Sequence, residues 1–133
     1  MKKQLFILLA LAVVVSGVFA FTTVNKVDGP KFKWSKTIHD FGKIEQGKPV
    51  KTAFEFTNSG NAPIIITKVQ TSCGCTASEY PKTPIMPGQT KKIKVGYNAA
   101  AMGTFSKTIT VMSNSEKPTT VLFIKGEVVA KKK

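Results

Sequence analysis

Past residue 20 the chain contains a single leucine, Leu122, against nine valines, nine isoleucines and fifteen threonines. Branching at Cβ costs a side chain rotamer freedom in a helix and suits the pleated surface of a sheet. The apolar residues of this region also recur at period two. Phe32, Trp34 and Ile38 begin a first run that ends near Phe41-Gly42. Val50, Thr52, Phe54 and Phe56 share one face, opposite Lys51, Glu55 and Thr57. Residues 63–69 follow, with Ile64, Ile65 and Ile66 unbroken, as in a strand covered on both sides. Ile93, Val95 and Tyr97 alternate with Lys92, Lys94 and Gly96, and Phe105, Ile109 and Val111 with Ser106, Thr108 and Thr110. Leu122, Ile124 and Val128 share a last face. Turn chemistry separates these runs: Asn58-Ser59-Gly60-Asn61, and the proline-rich stretch 81–88, where Pro87-Gly88 suits the central pair of a type II turn. No stretch carries an amphipathic helix. About seven short strands at this spacing predict an all-β fold, an immunoglobulin-like antiparallel β-sandwich over residues 32–130. A chain of about 110 residues supports one such core. Trp34, Phe54, Phe56, Ile93, Val95, Tyr97, Ile109, Leu122 and Ile124 are its expected members.

The first twenty residues have a different character. Met1-Lys2-Lys3 is positive, Leu5 to Val15 is continuously apolar, and Ser16-Gly17 breaks the run ahead of Val18-Phe19-Ala20. That is the anatomy of a cleavable signal peptide over residues 1–20. Residues 21–31, with Asp28-Gly29-Pro30, read as a flexible leader, and 131–133 as a basic tail. No cysteine follows the apolar run, so a lipid anchor is not expected, and nothing after residue 20 has the length and hydropathy of an integral membrane span. The expected product is exported, periplasmic or extracellular, where disulfides form.

Charge and motifs narrow the chemistry. Twenty lysines, no arginine and seven acidic residues give a formal net charge of +13. Nucleic-acid readers favour the planar fork of arginine, and export also argues against a nucleic-acid partner. Lysines alternating with apolar residues instead read as solvated strand faces, and as charge that protects sheet edges. His39-Asp40-Phe41-Gly42 contains the letters of a kinase metal motif without the rest of a kinase. Asp40 capping a turn, Phe41 entering the core and Gly42 turning the chain account for it.

Cys73-Gly74-Cys75 is the most informative tripeptide. Residues two apart in extended chain point to the same side, so the sulfurs can meet. Three readings stand: two small residues, bonded or not, shaping a strand end; thiol–disulfide exchange; or two thiolates holding a soft ion such as Cu(I). Zinc fits poorly, with only His39 to add a nitrogen ligand.

Assembled, these residues resemble the bacterial immunoglobulin-like family called domain of unknown function 1573. The matching pieces are His39-Asp40-Phe41-Gly42-Lys43-Ile44 with Gly47, Phe54-Glu55-Phe56-Thr57-Asn58-Ser59-Gly60, Ser72-Cys73-Gly74-Cys75-Thr76, and Pro84-Ile85-Met86-Pro87-Gly88. Ser106-Lys107-Thr108-Ile109 and Ile124-Lys125-Gly126-Glu127-Val128 complete them. The resemblance implies an exported single-domain sandwich with no established catalytic activity, hence no catalytic residue and no cofactor. It gives His39, Asp40, Phe41, Gly42, Asn58, Gly60, Gly74, Pro87, Gly88 and Gly126 structural roles. The expected function is a non-enzymatic module that binds a protein or cell-envelope partner. The alternative is a thiol redox or copper-handling protein using Cys73 and Cys75. Mass spectrometry of the exported protein should find Phe21 at the N-terminus; a mature form still beginning at Met1 would count against cleavage.

Overall fold

The structure, a computed structural model, describes residues 28–133. The expected signal peptide and most of the leader lie outside the described residues. Eight strands follow one another: β1 (Phe32–Trp34), β2 (Ile38–Glu45), β3 (Val50–Asn58), β4 (Ile66–Thr71), β5 (Thr76–Glu79), β6 (Thr90–Tyr97), β7 (Gly103–Ser113) and β8 (Thr119–Val129). They form two four-stranded sheets, ordered β1-β3-β6-β5 and β2-β8-β7-β4. The sandwich is the expected one, with two differences in its topology.

The first run of the sequence is two strands. After Trp34 the chain leaves one sheet, crosses through Ser35–Thr37 and enters the other at Ile38. The second difference follows from the first. β1 runs antiparallel to β3, whereas β2 runs parallel to β8. A turn at Glu45–Lys48, closed by the Lys48 N–H on the Glu45 carbonyl at 3.2 Å, reverses the chain between β2 and β3. β1 and β2 therefore behave as one interrupted strand shared between the sheets, and the second sheet is mixed rather than purely antiparallel.

Alternation delivers the core. Phe54, Phe56, Ile93, Val95 and Tyr97 of one sheet meet Ile109, Val111, Leu122, Ile124 and Val128 of the other, all buried. Tyr97 stacks on Phe105 with ring centroids 4.1 Å apart. Trp34 departs from expectation and is only half-buried: it lies on a three-residue edge strand, stacked on Phe32 at 5.0 Å and tilted against Phe56. The isoleucine run is not covered on both sides either. Ile64 and Ile66 are buried while Ile65 is exposed, because ordinary period-two alternation persists through it. Ile64 and Ile85 exchange both backbone hydrogen bonds at 2.8 Å and bring two loops into the core.

One buried polar side chain ties these loops together. Asn58, 1% exposed, donates from Nδ2 to the carbonyls of Ala62 (2.8 Å) and Ile85 (2.9 Å), and its Oδ1 accepts from the Gly60 N–H (3.0 Å). Its backbone N–H donates to Gln89 and its carbonyl accepts from Gly88. The same corner holds the described end of the leader: Gly29, Pro30 and Lys31 accept backbone hydrogen bonds from Asn61, Glu116 and Ser59. A buried polar group left without its partner costs about 1–3 kcal/mol. Asn58→Ala should therefore cost about 2–4 kcal/mol in chemical denaturation, since several partners lose their bonds together. Asn58→Asp should also destabilise, because it sets oxygen against two carbonyls. A midpoint unchanged in Asn58→Ala would remove this role.

Candidate functional site

The sequence-predicted residues fall into three separate places. The first is the Asn58 corner, where Gly60, Pro87 and Gly88 join Asn58. Gly88 has φ +83°, and the Gln89 N–H closes the turn on the Met86 carbonyl at 3.0 Å, the type II geometry the Pro-Gly pair suggests. A Cβ on Gly60 would run into the Gly29 carbonyl oxygen.

The second place is the bulge in β2. Its pairing with β8 slips between Asp40 and Lys43. Asp40 Oδ1 accepts from the Gly42 N–H at 2.8 Å, and Gly42 sits at φ +67°. The turn chemistry is as expected, but it interrupts a strand rather than ending one. Phe41 packs half-buried against the core. Across the ladder, a Cβ on Gly126 would lie 2.8 Å from the Gly42 oxygen and 2.9 Å from the Phe105 ring, so Gly126 makes room for the bulge. The two glycines floor a depression of about 390 Å³, rimmed by Asp40, Lys43 and Lys125. His39 is turned to other work. Lys36 Nζ donates to its Nδ1 at 2.8 Å, and its ring meets Phe41 edge-on at 4.5 Å. Partial burial lowers its pKa, the Lys36 charge lowers it further, and Asp40 opposes both.

The third place is the Cys73-Gly74-Cys75 corner, where the chain crosses from β4 in one sheet to β5 in the other. The two cysteines are disulfide-bonded, with Cα atoms 5.3 Å apart. Both are half-buried and Gly74 is exposed. The corner is pinned on each side. The Ser72 N–H donates to the Thr108 carbonyl (3.0 Å), and the Asn98 N–H donates to the Cys75 carbonyl (3.0 Å). The Cys73 carbonyl accepts from Thr71 Oγ1 at 3.2 Å. His39 lies on β2 at the far edge of the second sheet, three strand spacings from β4, about 14 Å. The structure thus separates the one imidazole from the two sulfurs. In the bonded form the sulfurs offer no thiolate to a metal.

No sequence motif marks the side of the sandwich opposite this corner. Ile38, Val121 and Phe123 are exposed by 54%, 40% and 37%. Ile38 and Phe123 are register partners, and Val121 lies two residues along the same strand, so the three form one patch on the outer face of the second sheet. The signal was present in Val121-Leu122-Phe123-Ile124, an apolar quartet in which only alternate members can face the core. Beside the patch a groove of about 540 Å³ opens between β1 and β8, lined by Phe32, Trp34, Thr37 and Val121, with Lys31 and Lys117 among its walls. The Trp34 Nε1–H is buried without an acceptor among the described residues.

The disulfide closes a three-residue loop, for which the chain-entropy estimate is only about 1.6 kcal/mol. Cys73→Ser with Cys75→Ser should cost about 1–2 kcal/mol and leave the fold intact. A melting curve of the double variant tests this, beside a redox titration of the wild type. A wild-type potential below about −300 mV would class the bridge with inert structural disulfides, and a much higher one with exchangeable disulfides.

No curated protein sequence matches the chain. Among solved structures, a protein of unknown function from Porphyromonas gingivalis W83 superposes with TM-score 0.68 at 21% identity, over 82% of this chain and 51% of that one. This chain therefore spans about half the length of that protein. The PapD-like domain 7 of human CEP192 gives TM-score 0.67 at 11% identity, over 88% of this chain and 98% of that domain. The YadV chaperone gives 0.55 at 16% identity, covering 73% of this chain and 51% of its own. At these identities the likeness is one of fold, a PapD-like sandwich. Residues 32–128, nearly all of the strands described above, match the family described as "Protein of unknown function (DUF1573)", and the chain belongs to that family.

Proposed function

We propose that this chain is an exported, non-enzymatic β-sandwich that binds a protein or cell-envelope partner through its open β1–β8 side. The observation that carries the reading is the apolar patch of Ile38, Val121 and Phe123 beside the groove. Its setting gives it weight. The outer face of the other sheet presents Lys33, Lys51, Lys92 and Lys94 with Glu55 and Glu79, all exposed. On a protein this rich in lysine, a cluster of exposed apolar side chains costs solubility unless something covers it, and such patches mark interaction surfaces. The chaperone likeness lends support at the level of fold, and a disulfide between Cys73 and Cys75 is in keeping with export. Among the described residues no helix is long and apolar enough to cross a membrane.

A photo-reactive amino acid at position 123, in the native envelope, should yield a discrete adduct on irradiation. The same residue at position 55, on the lysine-rich face, should yield little. Equal labelling at the two positions, or none at either, would remove this face as the binding surface.

A further inference from the structure

The two strands that border the groove both turn toward it backbone groups that have no ladder partner among the described residues. β8 begins at Thr119, yet β2 pairs with it only from Phe123 onward. The Phe123 N–H donates to the Thr37 carbonyl at 2.8 Å, which shows which way the β8 backbone faces. Along a strand, alternate residues direct their N–H and C=O to the same side, so those of Val121 and Thr119 point where β2 would continue. Among the described residues no strand meets them there. Opposite, the Lys31 carbonyl and the Ser35 N–H are bonded to Ser59 and Glu55 on the β3 side. That leaves the alternate residues Phe32 and Trp34 with their backbone groups turned away from β3.

We infer that Thr119–Leu122 is an acceptor edge, which takes an extended segment of a partner protein as an added strand in line with β2. This rests on the binding role proposed above for the same side and specifies its mode. The open edge is four residues long, so it holds about 13 Å of extended chain, roughly two rungs of a ladder. The chemistry of that segment follows from its surroundings. Side chains on its inner face meet Phe32 and Trp34, and those on its outer face lie beside Val121 and Ile38. Apolar or β-branched residues suit both. Lys31 and Lys117 stand in the groove wall, with Lys31 in a loose exposed contact to Glu116 at 3.8 Å. A carboxylate on the incoming segment fits this region, and the excess of lysine over acidic residues past residue 20 favours an acidic segment at encounter. Main-chain hydrogen bonds supply the hold, and the alternating contacts supply the selectivity.

The test uses the exported chain, 15N-labelled, with the probe peptide acetyl-Glu-Val-Thr-Val-Thr-Val-amide. Its addition should shift the amide resonances of Thr119 and Val121 and slow their hydrogen exchange. Peptides N-methylated at either set of alternate residues keep the side chains but lose one row of donors. The set that faces the edge should bind at least tenfold more weakly. Val121→Pro should lower affinity for the unmodified peptide by at least tenfold. Its melting midpoint should hold, because proline is tolerated where an edge N–H has no ladder partner. Equal binding of both N-methylated peptides, shifts confined to the lysine-rich face, or a dimer formed through β8 in place of peptide binding would each overturn the inference. If it falls while cross-linking at position 123 persists, the binding face stands and only strand addition is lost. Loss of both removes the binding role as well.

Discussion

The side-chain amide of Asn58 is the contact on which the irregular half of this molecule depends. Sheets carry their own hydrogen bonds, but the loops around β3 and before β6 have to find theirs. Asn58 ends β3 with its side chain turned inward and gives two donors and an acceptor to those loops. Ile85 is thereby held against Ile64 inside the core, and the Pro87-Gly88 turn is set at the entry to β6. An amide can do this where a carboxylate or a hydroxyl cannot, because it donates twice and accepts at once without charge. The leader arrives at the same corner, with Gly29 close enough to leave no space for a side chain at position 60.

With that corner in place, the two long sides of the sandwich differ. On one side, edge strands β4 and β5 are joined through the Cys73–Cys75 corner, and the Ile64–Ile85 pair closes the approach. The disulfide contributes local shape more than stability, since its loop is too short to restrict the unfolded chain by much. On the other side the chain passes from β1 to β2 with only Ser35–Thr37 between them. β1 is three residues long and β2 starts late along β8, so groove, apolar patch and open backbone coincide. A short edge strand is a common defence against unwanted pairing. Here its shortness also leaves the Phe32 and Trp34 rings lining the groove.

Much of the fold was legible because period two is hard to mistake in a chain with one leucine outside its first twenty residues. The faces of β3, β6, β7 and β8 follow from reading alternate letters. Less legible was the place where alternation meets topology. Trp34 and Ile38 read as one run, and nothing local announces that three residues between them carry the chain to another sheet. Gly42 was readable as a turn residue. That its turn is a bulge, and that Gly126 must lack a side chain to admit it, depends on two strands 84 positions apart lying side by side.

Strand content, most of the core faces, the family and the closeness of Cys73 and Cys75 can be read along the chain, because each rests on residues near one another or on a pattern repeated along it. Other features exist only once the sheets are assembled: that β2 runs parallel to β8, that His39 and the sulfurs stand at opposite edges of one sheet, and that Val121 and Phe123 face outward beside Ile38 and an open edge. The physical reason lies in strand geometry. A strand's own residues set which side chains share a face, but which strand lies alongside it, and for how many residues, is settled only when the sheets assemble.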